Sequence, residues 1–246
     1  MVNSKNIFSF FRLVSLGILL FVVSCKKEKN NSAFTLDYGY DYFPFEVGRY
    51  VIYDVDSVVF NSFTDTIDTY KFQIKEYCES SFLDNEGRTS IRLERYKKNY
   101  SNTVPYDSMP WTLVDVWQTN RTVTTAEKVE ENIRYVKMTF PAKMGNSWNG
   151  NAQNTQEETN YSYADVDVSR TVGSSSFDST LFVDQLKKEN ALEKKYYVET
   201  YAKHIGMIYK QVIDVRAKTI NSKPIMERLD SGLVNYQMTI NSYGIN

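Results

Sequence analysis

The side chains that could support catalysis here are few. They are one histidine, His204, the aspartate pairs Asp54 with Asp56 and Asp165 with Asp167, and the thiol of Cys78. A single histidine leaves no His-based metal cluster, and a Ser-His-Asp relay would have no spare base. In Tyr201-Ala202-Lys203-His204-Ile205-Gly206 the histidine reads as the last residue of a strand before a glycine turn. Each aspartate pair is spaced i, i+2 and so falls on one face of a strand, and glycan hydrolysis is the chemistry such carboxylates could serve. No apolar setting marks either pair for a raised pKa, so both read as solvated faces. Calcium ligation by these aspartates would lack an EF-hand loop, and the chain has neither a phosphate loop nor a Rossmann glycine fingerprint. Cys78 alternates with Phe72, Ile74 and Glu76 on one strand face, as a half-buried, inert thiol. The expectation is no catalytic residue, no metal site and no cofactor.

Aromatic residues are the alternative source of function. Tyr106, Trp111, Trp117 and Trp148, with Tyr96 and Tyr100 nearby, could stack on sugar rings or an apolar ligand, with Trp111 in the turn-rich 105–110 neighbourhood as the best rim candidate. Their ordinary role is to fill a sheet core and its cross-strand pairs. A carrier of lipid would need a continuous, unfilled apolar interior.

The elements that must position these residues read as β throughout. Nineteen tyrosines, many Val, Ile and Thr, and recurrent period-two alternation favour strands. Strands are expected near residues 49–60, 65–79, 88–98, 111–118, 121–128, 132–140, 159–169, 179–188, 194–204, 207–218 and 233–243. The stretch 186–196 tempts a helical reading, but Tyr196, Val198 and Tyr201 suit a hairpin. Val51, Tyr53, Val55, Ser57 and Val59 form a mostly apolar face opposite Asp54 and Asp56, the pattern of a sheet with one wet side. Short turns between consecutive strands imply an all-β antiparallel meander, closed as a barrel or folded as a sandwich to protect its edges. Phe43-Pro44-Phe45-Glu46-Val47-Gly48 is echoed by Phe140-Pro141-Ala142-Lys143-Met144-Gly145. Pro fixes an extended entry and Gly allows a positive-φ turn, so both mark corners entering a sheet, and the fold is open to assembly from two similar halves.

The amino end carries a different signal. Lys5 and Arg12 precede an apolar stretch from Leu13 to Val23, which is shorter than the roughly 20 residues of a membrane span and suits a signal h-region. It ends in Val22-Val23-Ser24-Cys25, followed by Lys26-Lys27-Glu28-Lys29, which resembles the lipobox of bacterial lipoproteins. That resemblance implies a signal peptide over 1–24, a diacylglyceryl thioether on Cys25 as the new first residue, a tether over 25–36 and an all-β domain over 37–246. Lys26 argues against retention at an inner membrane, and the basic tether lacks the acidic cluster of surface export. Lipid anchoring to the outer membrane is therefore expected, with the periplasmic face ahead of the cell surface. Loss of Lys5 and Arg12 takes the formal charge of −1 to about −3, too near neutral to imply a polyanionic partner, and no nucleic-acid motif appears.

Residues 42–57, Tyr-Phe-Pro-Phe-Glu-Val-Gly-Arg-Tyr-Val-Ile-Tyr-Asp-Val-Asp-Ser, with the later Tyr201-Ala202-Lys203-His204-Ile205-Gly206-Met207-Ile208-Tyr209-Lys210, resemble a family of uncharacterised lipoproteins of Bacteroidota over nearly the whole chain. The resemblance implies a cell type and an outer-membrane address and supplies no catalytic residues. Asp-Ser/Thr-apolar or Asp-Ser-Thr tripeptides at Ser57, Thr66, Ser108 and Ser179 resemble the O-glycosylation signal of that phylum, although such pairs also begin or end strands. The sequence thus points to a lipid-anchored, non-enzymatic binding or scaffolding component of the envelope, whose partners are the membrane and a glycan or another envelope protein. A carboxylate-based glycan hydrolase and a periplasmic lipid or lipoprotein carrier are the alternatives.

Overall fold

The computed structural model describes residues 36–246. Cys25, the signal segment and the tether as far as residue 35 lie outside the described residues. Twelve strands follow in order: β1 Arg49–Asn61, β2 Thr66–Leu83, β3 Thr89–Asn99, β4 Thr112–Arg121, β5 Thr125–Glu130, β6 Ile133–Thr139, β7 Ser147–Asn149, β8 Asn160–Val172, β9 Ser175–Glu189, β10 Glu193–Ala202, β11 Gly206–Ala217 and β12 Leu229–Ile245. They make one sheet in the order β6-β5-β4-β3-β2-β1-β12-β11-β10-β9-β8-β7. Every strand pairs with its sequence neighbours except across β6 and β7, and the last strand pairs antiparallel with the first. This is an up-and-down barrel with one seam.

The seam is closed by a mixture of main-chain and side-chain bonds. Val136 N donates to Gly150 O (2.9 Å), and the Trp148 indole Nε1 donates to Val136 O (2.8 Å). The Tyr163 hydroxyl accepts from Thr139 N (3.0 Å) and donates to Thr139 O (2.7 Å). Asn154 Nδ2 covers Arg134 O (2.9 Å). These bonds satisfy the groups that an edge strand would otherwise offer to another chain.

The six-residue echo falls at equivalent places, just before β1 and just before β7, so each copy opens a run of six strands. Gly48 (φ 90°) and Gly145 (φ 83°) both take the left-handed conformation. A Cβ at Gly48 would stand 3.0 Å from the Asn246 carbonyl oxygen, so backbone and space both favour glycine there.

Strand boundaries follow local chemistry. The 186–196 stretch is the β9–β10 hairpin, in which Asn190 Oδ1 accepts from the amides of Leu192 and Glu193. β5 starts at Thr125, four residues later than the sequence pattern indicates, because β4 continues to Arg121. The Thr122 hydroxyl then accepts from the amides of Thr124 and Thr125 to form the turn. β7 has three residues, too few to show alternation, and is missing from the sequence reading.

The largest core cluster includes Tyr42, Met138, Trp148, Tyr161, Tyr163, Leu181 and Tyr201. Beside it, the segment from Tyr38 to Phe45 is pinned to the end of β4 and to two connections. Arg121 Nη1 donates to the carbonyls of Tyr40 and Phe43 (3.3 and 3.1 Å), His204 N donates to Asp41 O (2.7 Å), and Ala142 N donates to Tyr38 O (2.9 Å).

Candidate binding cavity

Nine of the twelve strands, all but β7, β8 and β9, contribute to a single cavity of about 240 Å³, whose wall also includes Phe43 and Pro44. Register explains why charged residues face it. Val51 on β1 pairs with Glu76 on β2, Glu76 with Arg95 on β3, and Leu93 with Trp117 on β4. On the other side Glu199 on β10 pairs with Lys210 on β11, and Lys210 with Met238 on β12. Cross-strand partners share a face, so one charged pair brings in the next.

The charges form two linked groups. Lys137 Nζ lies 2.7 Å from Glu199 Oε1 and 3.6 Å from Glu130, and Lys210 Nζ reaches the same Glu199 oxygen at 3.3 Å. The Tyr201 hydroxyl donates to the other Glu199 oxygen at 2.6 Å. Lys128 Nζ lies 3.0 Å from Glu76 and 3.8 Å from Glu130, and so joins the groups. Arg95 approaches Glu76 at 3.3 Å and Asp115 at 2.9 Å. Arg95 and Lys128 both sit over the Trp117 ring, at 3.8 and 4.7 Å from its centroid, and cation–π attraction is strongest for tryptophan.

Such a network is held together by its completeness. The side chains of Lys137 and Glu199 are 5% and 1% exposed. Taking either ion from water costs several kcal/mol, roughly offset only while the partner remains. Burial pushes the Glu199 carboxyl up, but Lys137 and Lys210 outweigh it and hold the group at about 2. Burial likewise opposes ionisation of Glu130, and Lys137, Lys210 and Lys128 reverse that effect to leave it well below the usual carboxylate range. Lys137 is raised because Glu130 and Glu199 overcome its desolvation. Cys78, also on the wall, is pushed up to about 11 by burial and by Glu76, which leaves almost no thiolate near neutrality.

The residues singled out from the sequence fall in different places. Trp117 lines the cavity. Trp148 is 9% exposed, and its indole is committed to the seam. This corrects its reading as a ligand-stacking residue, since neither the ring face nor the N–H is free. Trp111 lies under Lys98 Nζ (4.4 Å). Tyr106 packs edge-on to Tyr100 and accepts from Lys98 through its carbonyl, so both belong to the 100–111 connection and not to the cavity wall. Among the tripeptides, Thr66 and Ser108 are exposed and Ser179 is half-buried. Ser57 is 8% exposed, which corrects its candidacy for glycosylation in the folded chain.

Neither aspartate pair lines the cavity. Asp54 accepts from Gln73 and Asn241, and Asp56 pairs with Lys71 at 3.3 Å. Asp165 is bound by Arg170. Asp167, at φ 62°, holds Ser179 and Lys203. Register shifts in β8 on both sides of Val166 break the common face that an i, i+2 spacing assumes. His204 is in the β10–β11 turn with a 74% exposed side chain, 3.9 Å from Asp41. Arg95, Lys128, Glu130, Lys137, Glu199 and Lys210 are wall residues that the sequence reading did not select.

No family model and no curated protein matches the chain. Among solved structures, one from Bacteroides fragilis with a YmcC-like fold is similar at a TM-score of 0.42 and 8% identity, covering 82% of this chain and 98% of its own. The functional reading rests on the cavity.

Proposed function

We propose that the chain is an outer-membrane lipoprotein, anchored through Cys25 and facing the periplasm, which binds a small ligand inside its barrel without transforming it. The observation that carries this reading is the interior cavity of about 240 Å³ with charged side chains from opposite sides of the sheet directed into it. A barrel with only a structural role gains nothing from ions that an apolar core could replace at equal or better stability. Ligand sites, in contrast, combine an apolar wall with a few fixed polar groups. The charged wall does not suit the continuous apolar interior of an acyl-chain carrier. Neither carboxylate pair offered for glycan hydrolysis faces an enclosed site. The lipobox-like sequence around Cys25 supports the address.

Native mass spectrometry of the full chain, extracted from its own envelope in mild detergent, tests the binding reading. A small molecule held one to one and released on unfolding is the expected result. A mass equal to the acylated polypeptide alone in every preparation overturns it.

A further inference from the structure

The cavity wall is unequal in charge. Five cations line it, Arg49, Arg95, Lys128, Lys137 and Lys210, against three carboxylates, Glu76, Glu130 and Glu199. The carboxylates that balance the other two cations lie outside the wall. Glu46, the partner of Arg49, has a side chain 65% exposed, and Asp115, the partner of Arg95, is 30% exposed. Water reaches Glu46 far more, and Asp115 somewhat more, than it reaches the wall groups, so the balance of charge inside is positive. The buried Arg95 Nε stands 3.3 Å from Glu76 Oε1 without a hydrogen bond between them, so that N–H is ion-paired but has no acceptor in line. Between the charges the wall is apolar, with Val51, Leu93, Ile205, Met207 and Met238.

Resting on the binding reading above, we infer that the ligand is a small anionic amphiphile, its negative head among Arg95, Lys128 and Lys210 and its short apolar part against Leu93, Met207 and Met238. A cation would add to the existing surplus, and a neutral apolar molecule would leave it uncompensated in a low-dielectric site. The volume is below the roughly 300 Å³ at which common ligand pockets begin, which restricts the apolar part to a short chain or one ring.

The test uses the full chain in phospholipid nanodiscs, with empty nanodiscs as reference and the fluorescence of Trp117, identified by Trp117→Phe, as the readout. Octanoate and octyl phosphate are compared with octanol and octylammonium. Saturable binding of either anion at least about ten-fold tighter than both controls is expected, and the tighter anion separates a carboxylate head from a phosphate. Equal binding of octanol or octylammonium overturns the anionic class and leaves the cavity as a binding site. No binding of any probe overturns the class, and the mass spectrum described above decides separately whether a ligand occupies the barrel.

Two variants sharpen the result, each checked for an unchanged β-sheet signal in circular dichroism. Lys128→Gln should weaken the preferred anion about ten-fold, and Glu130→Gln should tighten it about three-fold, in line with the charge each removes. Shifts of the two in the same direction overturn the inference.

Discussion

At the scale of single residues, the barrel interior behaves as a set of mutually dependent ions. Lys137 is the clearest case, because it serves both Glu130 and Glu199. Lys137→Met should destabilise the fold by roughly 3–5 kcal/mol, the usual cost of leaving a buried charge without its partner. Adding Glu199→Gln should recover a large part of the loss, and urea unfolding of the single and double variants measures both. The same group sets a pH dependence. Glu199 is held at about 2 in the folded chain, against roughly 4.3 when unfolded. A depressed carboxylate pKa means that the stabilisation is complete above the unfolded value and is lost as pH falls toward the folded one. The urea midpoint should therefore fall between about pH 5 and pH 2, and Glu199→Gln should flatten that fall; an equally steep fall in the variant would exclude Glu199 as its source. Part of this network was visible in the sequence. Alternation already placed Glu76 on the face of Phe72 and Ile74, and Arg95 follows Ile91 and Leu93 in the same phase. A charge at an apolar phase reads as noise in one strand. It becomes a site only when register sets Glu76 against Arg95 and Glu199 against Lys210, and register is a property of pairs that no single strand encodes.

At the scale of elements, the seam is where the barrel depends on side chains to do the work of a ladder. The Tyr163 hydroxyl bonds both main-chain groups of Thr139. Tyr163→Phe leaves both without that partner, and each buried group so orphaned costs about 1–3 kcal/mol. The expected outcome is a loss of stability together with faster hydrogen exchange at Thr139 and Val136, while amides in the β1–β12 pair keep their relative protection. Uniform acceleration in all strands would mean that the seam is not a local weak point. Strand positions were legible because apolar residues recur with period two, at Val51, Tyr53, Val55 and Val59 in β1, at Phe72, Ile74 and Cys78 in β2 and at Ile91 and Leu93 in β3. The corners at Gly48 and Gly145 were legible because a Pro followed four residues later by Gly has a conformational meaning. The choice of barrel over sandwich was not, because alternation is the same in both. It is decided by the antiparallel pairing of β1 with β12, residues nearly the whole domain apart, and by bonds from Trp148 and Tyr163. A single-sequence reading sees these two only as aromatics.

At the scale of the whole molecule, the outer surface limits how the chain can meet a membrane. A barrel that spans a bilayer needs an outward apolar band about 25 Å tall. Here Asp54 and Asp56 sit in the middle of β1 on the face opposite Tyr53 and Val55, with Lys71 of β2 paired to Asp56. Arg92 and Glu79 lie half-exposed, 3.6 Å apart, on the neighbouring strands. Placing these ions in hydrocarbon costs a few kcal/mol each at the midplane, so the sheet exterior does not fit a lipid face. Among the described residues, no helix is long and apolar enough to cross a membrane either. Membrane association in the proposed function therefore falls on the lipid at Cys25, where two or three acyl chains contribute about 0.8 kcal/mol per buried methylene. Cys25→Ser, which removes the thioether, should prevent labelling by a palmitate analogue and move the chain from carbonate-washed membranes to the supernatant. Its thermal unfolding should remain close to that of the parent, because every described strand lies C-terminal to residue 48. If the variant stays with the washed membranes, some other part of the chain holds the bilayer, and the assignment of a lipid anchor fails.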